Sequence, residues 1–490
     1  MKILSANQIK QWDKATLKSE KISSLQLMER AANNCRRQIM QDFNRDLSFH
    51  IIVNKGNNGA DGLVIARKLL QKEYKVRVTI LKFIKKASPE FAANLTLLHK
   101  DVITTIQSAN DIVFNKNEII IDAVFGYGLN RETSGEFAKT IDGINNAKAK
   151  ILSIDIPSGL FADDNRQNNG SIIRADTTYT FECMKFSFLL ESNLPFFGQV
   201  KLIDIGLDKQ YLQSLKTKNH LLTNDRLPPI KNRPKTSHKG SFGNALLIGG
   251  NKGMKGAIIL SATSALRTGV GKISVSLPKQ YIKELNRHLP ESMLDYDISE
   301  FSKYNAIGIG PGIGTDKKAE NQLKSLLKKR RAISLVLDAD ALNIISKNKN
   351  LLKYCKGAII TPHIGEFKRL CGAFGCDEEK LEKQILFAKK HKVVVVLKGP
   401  FSSIASPCGN LYFNNTGNSG MATAGSGDVL LGIILGLLTQ GYSAKDTACL
   451  GVFLHAKAGD LALDKQSKES LIASDITDNL GRAFDFLKAK

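Results

Sequence analysis

Two stretches carry residues whose types and spacing suit anion chemistry. The first, GNNGADG (Gly56–Gly62), follows the apolar run HIIV and precedes LVIARKLL, whose apolar positions recur at helical spacing. It reads as a turn in which Gly56, Asn57, Asn58, Gly59, Ala60, Asp61 and Gly62 permit close backbone approach. Its amides would face a helix N-terminus, a geometry that suits a phosphate. The second, TAGSGDVLLG, sets Gly425, Ser426 and Gly427 directly before an apolar helix, so that amides point outward with the helix dipole behind them. Asp428 follows at the helix start, placed either as a general base or simply as a capping residue of the first turn.

Other chemistry-bearing residues sit just after strand-like runs, where open α/β sheets hold their ligands. Asp122 follows EIII and leads into Gly126, Tyr127, Gly128 and Leu129; Asp155, Pro157, Ser158 and Gly159 follow ILSI. Asn58, Asp122 and Ser158 offer neutral and anionic oxygens, the donors that hard cations prefer, so a monovalent or divalent cation is expected there. Gly, Asn and Asp are also ordinary turn residues for steric reasons. The convergence of three such turns on one sheet edge favours a site. In the second half, Lys398 and Gly399 follow VVVVL, and His363 and Glu366 follow AIITP. A carboxylate base, an amide anion hole and polar groups at strand ends compose a phosphoryl-transfer site. Asp338 and Asp340 read equally as substrate or metal ligands and as caps, and His455, inside an apolar helix, as a satisfied core histidine.

The elements that must position these residues form two series. HIIV, VRVTILK, EIIIDAVFG, KILSIDIPSG, TTYTFE and QVKLIDIGL alternate with amphipathic stretches, predicting a mostly parallel sheet covered by helices. TNDRLPPIKNRPKTSHKGSFG then breaks the periodicity, which puts a boundary near Thr223. The pattern restarts with NALLIGG, KISVSLP, YNAIGIGPGIG, SLVLDAD, GAIITP, VVVVLKG and SSIAS, followed by three long helical segments. The fold class is therefore α/β in two domains, and 490 residues agree, at about 100–200 residues per domain.

Composition narrows the function classes. Hydrophobic content of 42% with 24% charged residues is an ordinary globular balance. The seven cysteines lack any CxxC pair, so neither a disulfide framework nor zinc is suggested, and a reducing cytoplasm is expected. The N-terminus has no signal-peptide core and the longest apolar run is too short to span a bilayer, so no membrane association is expected. The net charge of +24 is spread along the chain, and runs such as KFIKK and LLKKRR read as solvated faces rather than a nucleic-acid surface. The charge would still attract an anionic substrate.

LMERA, GNNGADG, DAVFGYGL and SIDIPSGL together resemble the N-terminal domain of the NAD(P)H-hydrate epimerases, a likeness covering residues 1–212 and implying a Rossmann-like three-layer sandwich. The resemblance implies that Asn57, Asn58, Gly59, Ala60 and Asp61, then Gly126, Tyr127, Gly128, Leu129, Asn130, Arg131 and Glu132, and Asp155 contact a hydrated NADH or NADPH. It also implies that Asn58, Asp122 and Ser158 bind potassium. Ala60 stands where the family has glycine, and Tyr127 where it has a small residue such as threonine. In such a substrate the ring nitrogen can expel the C6 hydroxyl, re-addition from the other face inverts the centre, and Asp155 is the candidate proton shuttle.

Beyond a linker at 213–235, residues 236–490 are similar to the ribokinase-like superfamily, and more closely to the ADP-dependent NAD(P)H-hydrate dehydratases. The match rests on HKGSFGNALLIGGNKGMKGAIILSATSALRTGVGKISV, GIGPGIG, LDADALN, TPHIGEF, LKGPFSSIA and NSGMATAGSGDVLLGIILG, in that order. It implies that Ala257, Gly312, His363 and Asp428 meet the hydrated dinucleotide. Lys398, Gly399, Pro400, Phe401 and Ser402, with Asn415–Gly427 (Gly425 and Gly427 among them), would surround the adenine nucleotide. Ile364 replaces the usual proline, and Ala424 and Ser426 replace glycine and threonine. The implied reaction phosphorylates the C6 hydroxyl with ADP and then expels phosphate, with Asp428 as base and magnesium on the nucleotide. A homo-oligomer is the expected state. The rival readings are a vitamin or sugar kinase, which has no reason to carry the first domain, and a non-enzymatic dinucleotide- or RNA-binding module, which has no need of Asp428.

Overall fold

The computed structural model describes residues 1–295, 298, 300–330 and 333–489. The chain divides into two compact units, Lys2–Thr217 and Lys218–Lys490, the second also holding Met1.

In the first unit, strands β1 (Ser48–Val53), β2 (Lys75–Leu81), β3 (Ile103–Ile106), β4 (Glu118–Ala123), β5 (Lys150–Ile154), β6 (Thr177–Phe181) and β7 (Gln199–Ile203) form one sheet. Its order is β3-β2-β1-β4-β5-β6-β7, and every pairing is parallel. The order reverses between β1 and β4, where Ile51 pairs with Val78 on one side and Ile121 on the other. Helices α1 (Ala6–Glu20) and α2 (Ser24–Asp42) begin with reciprocal caps, Ser5 with Gln8 and Ser23 with Gln26. Helix α3 (Asn57–Leu70) begins directly after Gly56, so GNNGADG is the first turn of a helix rather than a loop before one. Its glycines serve close approach: an added Cβ would lie 1.7 Å from Asn54 O at Gly59, and 2.7 Å from the Ala123 Cβ at Gly62.

The second unit adds β8 (Asn219–Leu221), β9 (Asn244–Ile248), β10 (Lys272–Ser276), β11 (Met293–Leu294), β12 (Ala306–Ile309), β13 (Ser334–Leu337), β14 (Ile359–Ile360), β15 (Val394–Leu397), β16 (Ser402–Ala405) and β17 (Leu411–Asn414). The sheet order is β11-β10-β9-β12-β13-β14-β15-β16-β17-β8, parallel except where β16 pairs with β15 and β17. Strand β8 lies within the stretch read as a linker, 213–235, and pairs with β17. The third expected C-terminal helix is divided at Asn479 into Ala473–Asp478 and Leu480–Lys488. In the run LLKKRR, Lys328 and Lys329 are exposed as expected, but Arg330 is buried and donates to the carbonyls of Ile333, Tyr354 and Lys356; Arg331 lies outside the described residues. No helix among the described residues is long and apolar enough to cross a membrane.

Helix Ser426–Thr439 is buried from Val429 to Thr439, as its all-round apolar sequence requires. It meets helix Lys255–Arg267 along a seam of small residues. A Cβ at Gly432 would stand 2.0 Å from Ser264 Oγ and 2.1 Å from Ser261 O, and one at Gly436 2.9 Å from Ala265 O. Gly432→Ala must push these helices apart. It is expected to destabilise the protein by about 1–3 kcal/mol, read as an earlier denaturant midpoint; an unchanged midpoint would show that the seam can spread freely.

Candidate active sites

The strand reversal in the first sheet opens a cavity of about 790 Å³ at the carboxyl ends of β1, β4 and β5. Asn57, Asn58, Asp61, Gly126–Arg131 and Asp155 all line it. Gly56 caps α3 without a side-chain bond, leaving amides of the first helical turn free to meet an anion. Gly59 and Ala60 are buried in the helix–sheet contact rather than on the cavity wall. Glu132 turns away to accept from Asn169.

Asp155 adopts φ +68°, a left-handed conformation that costs a non-glycine residue strain and aims its carboxylate into the cavity. Oδ1 accepts from Lys185 Nζ at 2.6 Å and Oδ2 from Tyr127 N at 3.0 Å. Lys185 is 1% exposed and also donates to Thr180 Oγ1 and Phe181 O, so each ammonium proton has an acceptor. Neither Lys185 nor Asp13, on α1, is singled out by the sequence. Asp13 accepts from the Tyr127 hydroxyl at 2.8 Å. Burial holds the Asp13 carboxyl above its ordinary range, against the pull of that bond. Asp61 is pushed up strongly, first by desolvation and then by the charges of Asp155 and Asp13.

Asp122 is fully buried and accepts from Ser153 Oγ at 2.8 Å, Ser158 N at 2.8 Å, Ser158 Oγ at 2.5 Å and Val124 N at 3.2 Å. Ser158 Oγ also accepts from Phe125 N, and the next residue, Gly126, abuts the Asn58 side chain. Asn58 Nδ2 is buried with no partner. The unpartnered Nδ2 is a hydrogen-bond donor and holds no cation; the amide oxygen of Asn58, the Asp122 carboxylate and the Ser158 hydroxyl are the hard oxygen donors that fit a potassium ion.

In the second unit the site gathers at the carboxyl ends of β9, β12, β13, β14 and β15. Lys398, after β15, reaches Asp338, after β13, at 2.9 Å. Gly425 takes φ +89° and caps helix Ser426–Thr439 with no side-chain bond. A Cβ there would stand 2.5 Å from Leu260 Cδ1, which can move aside, so it is the left-handed angle that requires glycine. Asp428, in the first turn, is raised to about 6 by desolvation and by Asp338, with Lys398 opposing. Ser261 Oγ donates to Asp428 O and fixes that turn against helix Lys255–Arg267, which carries Ala257. Gly312 takes φ +64° and packs on Met254, just before the same helix.

His363 caps helix Ile364–Cys371: its Nδ1 accepts from Gly365 N at 3.0 Å while Glu366 accepts from His363 N at 2.9 Å. Its backbone pairs with Lys398, placing the half-exposed ring beside the ion pair. Asp340 accepts from Gly314 N and so holds a loop, whereas Asp338 belongs to the site. Lys398–Phe401 form the turn between β15 and β16, which Ser402 opens, with open space around Gly399. The Asn415–Gly427 segment is anchored by Asp460, which accepts from Gly417 N and Asn418 Nδ2, a contact with no motif to announce it. His455 Nε2 lies 3.0 Å from Ser426 O, and burial lowers it to about 4, the neutral core histidine expected.

Known proteins align with both halves. The family profile described as NAD(P)H-hydrate dehydratase matches residues 245–482, and that of the YjeF-related protein N-terminus matches residues 24–187. The bifunctional NAD(P)H-hydrate repair enzyme of Moorella thermoacetica is 33% identical, the alignment covering 98% of this chain and 96% of that protein. The enzyme of the same name from Escherichia coli K12 is 33% identical over 88% of this chain and 84% of its own. A crystal structure of a ribokinase-like superfamily protein from Enterococcus faecalis V583 is 29% identical, covers 56% of this chain and 98% of that one, and superposes with a TM-score of 0.51. With both profiles matched in order and a third of the residues shared over nearly the whole length, the chain belongs to the family of bifunctional NAD(P)H-hydrate repair enzymes.

Proposed function

We infer that the chain repairs hydrated NADH and NADPH in two steps: its first unit interconverts the R and S hydrates, and its second dehydrates the S form with ADP, releasing AMP and phosphate. The observation that carries this reading is Asp428, a carboxyl raised to about 6 at an uncapped helix N-terminus beside Lys398. Hydroxide is a poor leaving group and phosphate a good one, so a base next to an amide anion hole supplies what dehydration needs. Asp428 removes the C6 hydroxyl proton as its oxygen attacks the terminal phosphorus of ADP, and AMP departs. Gly425–Gly427 amides hold the transferring oxygens. Phosphate then leaves with the C6–O electrons, the ring nitrogen supplies its lone pair, and loss of a C5 proton restores the reduced nicotinamide. Ala257, Gly312 and His363 would position the dinucleotide, with Lys398–Ser402 and Asn415–Gly427 around ADP. Asp338 and Asp428 are neighbouring carboxylates that suit magnesium carried on nucleotide phosphates, whose charge it would offset.

In the first unit Asp155 carries a proton as the C6 hydroxyl leaves and water re-adds from the other face. Asn58, Asp122 and Ser158 would hold potassium, which would offset the buried Asp122 charge near a bound phosphate. A homo-oligomer in the cytoplasm completes the reading; free thiols at all seven cysteines suit a reducing compartment.

Incubating the protein with an equilibrated pool of both hydrates, magnesium, potassium and either ADP or ATP is expected to restore reduced-nicotinamide absorbance completely, faster than spontaneous epimerisation. Recovery of one epimer's share alone would leave only the dehydratase, and no recovery would favour a small-molecule kinase. Exchanging potassium for tetramethylammonium should slow epimerisation and leave dehydration of purified S hydrate intact.

Asp428→Asn should abolish dehydration, while wild-type turnover rises with pH through about 6 as Asp428 loses its proton. The same variant tests stability. Because the folded-state value lies above that of the unfolded chain, the native protein loses stability as pH rises from the unfolded value to about 6, and carries the full penalty above it. Asp428→Asn is therefore expected to be more stable than wild type at pH 8, by on the order of 1–3 kcal/mol, with the advantage gone at pH 4. Equal stability at pH 8 would contradict the raised carboxyl.

A further inference from the structure

Of the carboxyl groups on the first cavity, hydrogen bonding singles out one. Asp155 accepts from Lys185 and the Tyr127 amide, and Asp13 accepts from the Tyr127 hydroxyl. Asp61 faces the same cavity with no hydrogen-bond partner among the described residues. Asp61 and Asp155 also come from opposite sides of β4, one from the helix after β1 and the other from the end of β5. Two carboxyl groups brought to one ring from different sides can divide the acid and base roles, as the paired carboxyls of inverting glycosidases do.

We propose that Asp61 is a second catalytic residue of the epimerisation, donating a proton on one face of the nicotinamide ring while Asp155 accepts one on the other. The proposal rests on the reading of this cavity as the epimerase site. Asp61 gives its proton to the departing hydroxyl. The C6–O bond breaks, its electrons leave with the oxygen as water, and the ring nitrogen's lone pair forms the N1=C6 bond. A water on the opposite face attacks C6, the nitrogen recovers its pair, and the water's proton passes to Asp155. The product is the other epimer with the proton transferred between carboxyls. The reverse reaction exchanges their roles, or solvent returns the proton to Asp61.

Ion pairing separates the two carboxyls. The buried Lys185 ammonium has three acceptors, Asp155 Oδ1 among them. Asp61 has no cation bonded to it, and desolvation with the charges of Asp155 and Asp13 favours its protonated form. Lys10 and Lys14 on α1, Glu90, Arg131 and Glu182 also line the cavity. On α2, packed against α3, Glu29 is engaged by Arg67 and Lys68, and Arg30 by Glu20.

The test uses the full chain and purified R hydrate. Chromatography follows interconversion, and calorimetry follows hydrate binding in wild type, Asp61→Asn, Asp61→Glu and Asp155→Asn. Asp61→Asn is expected to bind hydrate as wild type does, to lose on the order of 10²–10⁴-fold in interconversion, and to lose the alkaline limb of the kcat/KM profile. Asp61→Glu should keep that limb. Wild-type rates and pH profile in Asp61→Asn would overturn the proposal, as would loss of hydrate binding in both Asp61 variants. An inactive Asp155→Asn beside an active Asp61→Asn would leave the epimerase reading standing without Asp61. Failure of the wild-type protein to interconvert the epimers would remove the reading itself.

Discussion

Close approach between helix and neighbour is the contact on which both sites rest. A helix N-terminus binds an anion only if it is brought up to the ends of the strands, and in both units glycine makes that possible. Gly59 and Gly62 let α3 settle onto β1 and β4 with no room for a Cβ. Gly432 and Gly436 do the same between helices Ser426–Thr439 and Lys255–Arg267, while Gly425 turns the chain into the first of them. The apolar burial behind each helix holds it there, and the uncapped amides in front are left for a ligand rather than for the protein's own side chains.

The polar groups around those amides divide between fixed and titratable charge. Lys185 with Asp155, and Lys398 with Asp338, are ion pairs in which one partner is almost wholly buried. Desolvation of that kind is costly unless the geometry is good, and both pairs have short contacts. Asp61 and Asp428 stand next to these pairs without a cation bonded to them, so desolvation and like charge favour the protonated form of each, raising Asp428 to about 6. One arrangement thus recurs in two unrelated sheets: a locked carboxylate beside an unlocked carboxyl.

Much of this was legible in the sequence because parallel strands are buried on both faces. HIIV, EIII and VVVV therefore read as strands without ambiguity, and the glycines and aspartates that follow them mark the ligand edge. Strand β3, ITTI, carries a weak signal because its two threonines face solvent, and β8, β11 and β17 because strands so short, β8 and β11 at the sheet's edges, carry little apolar signal. GNNGADG reads as a turn because glycine and asparagine favour turns; the helix begins at Asn57 because tertiary packing on β1 outweighs propensity. Lys185, Asp13 and Asp460 left no local mark at all. Each reaches its site from an element remote in sequence, so only the folded chain brings it there.

Strand β8 bears on how the two activities can be separated physically. Its residues fall within the stretch that composition marks as a tether, yet they close one margin of the second sheet by pairing with β17. A protease or an engineer cutting anywhere from Leu222 to Lys235 would release a dehydratase half stripped of that margin, with the backbone donors and acceptors of β17 open to pairing with another molecule. Severing the chain between Thr217 and Lys218 keeps the sheet whole. The span that looks most dispensable is thus a guard against self-association.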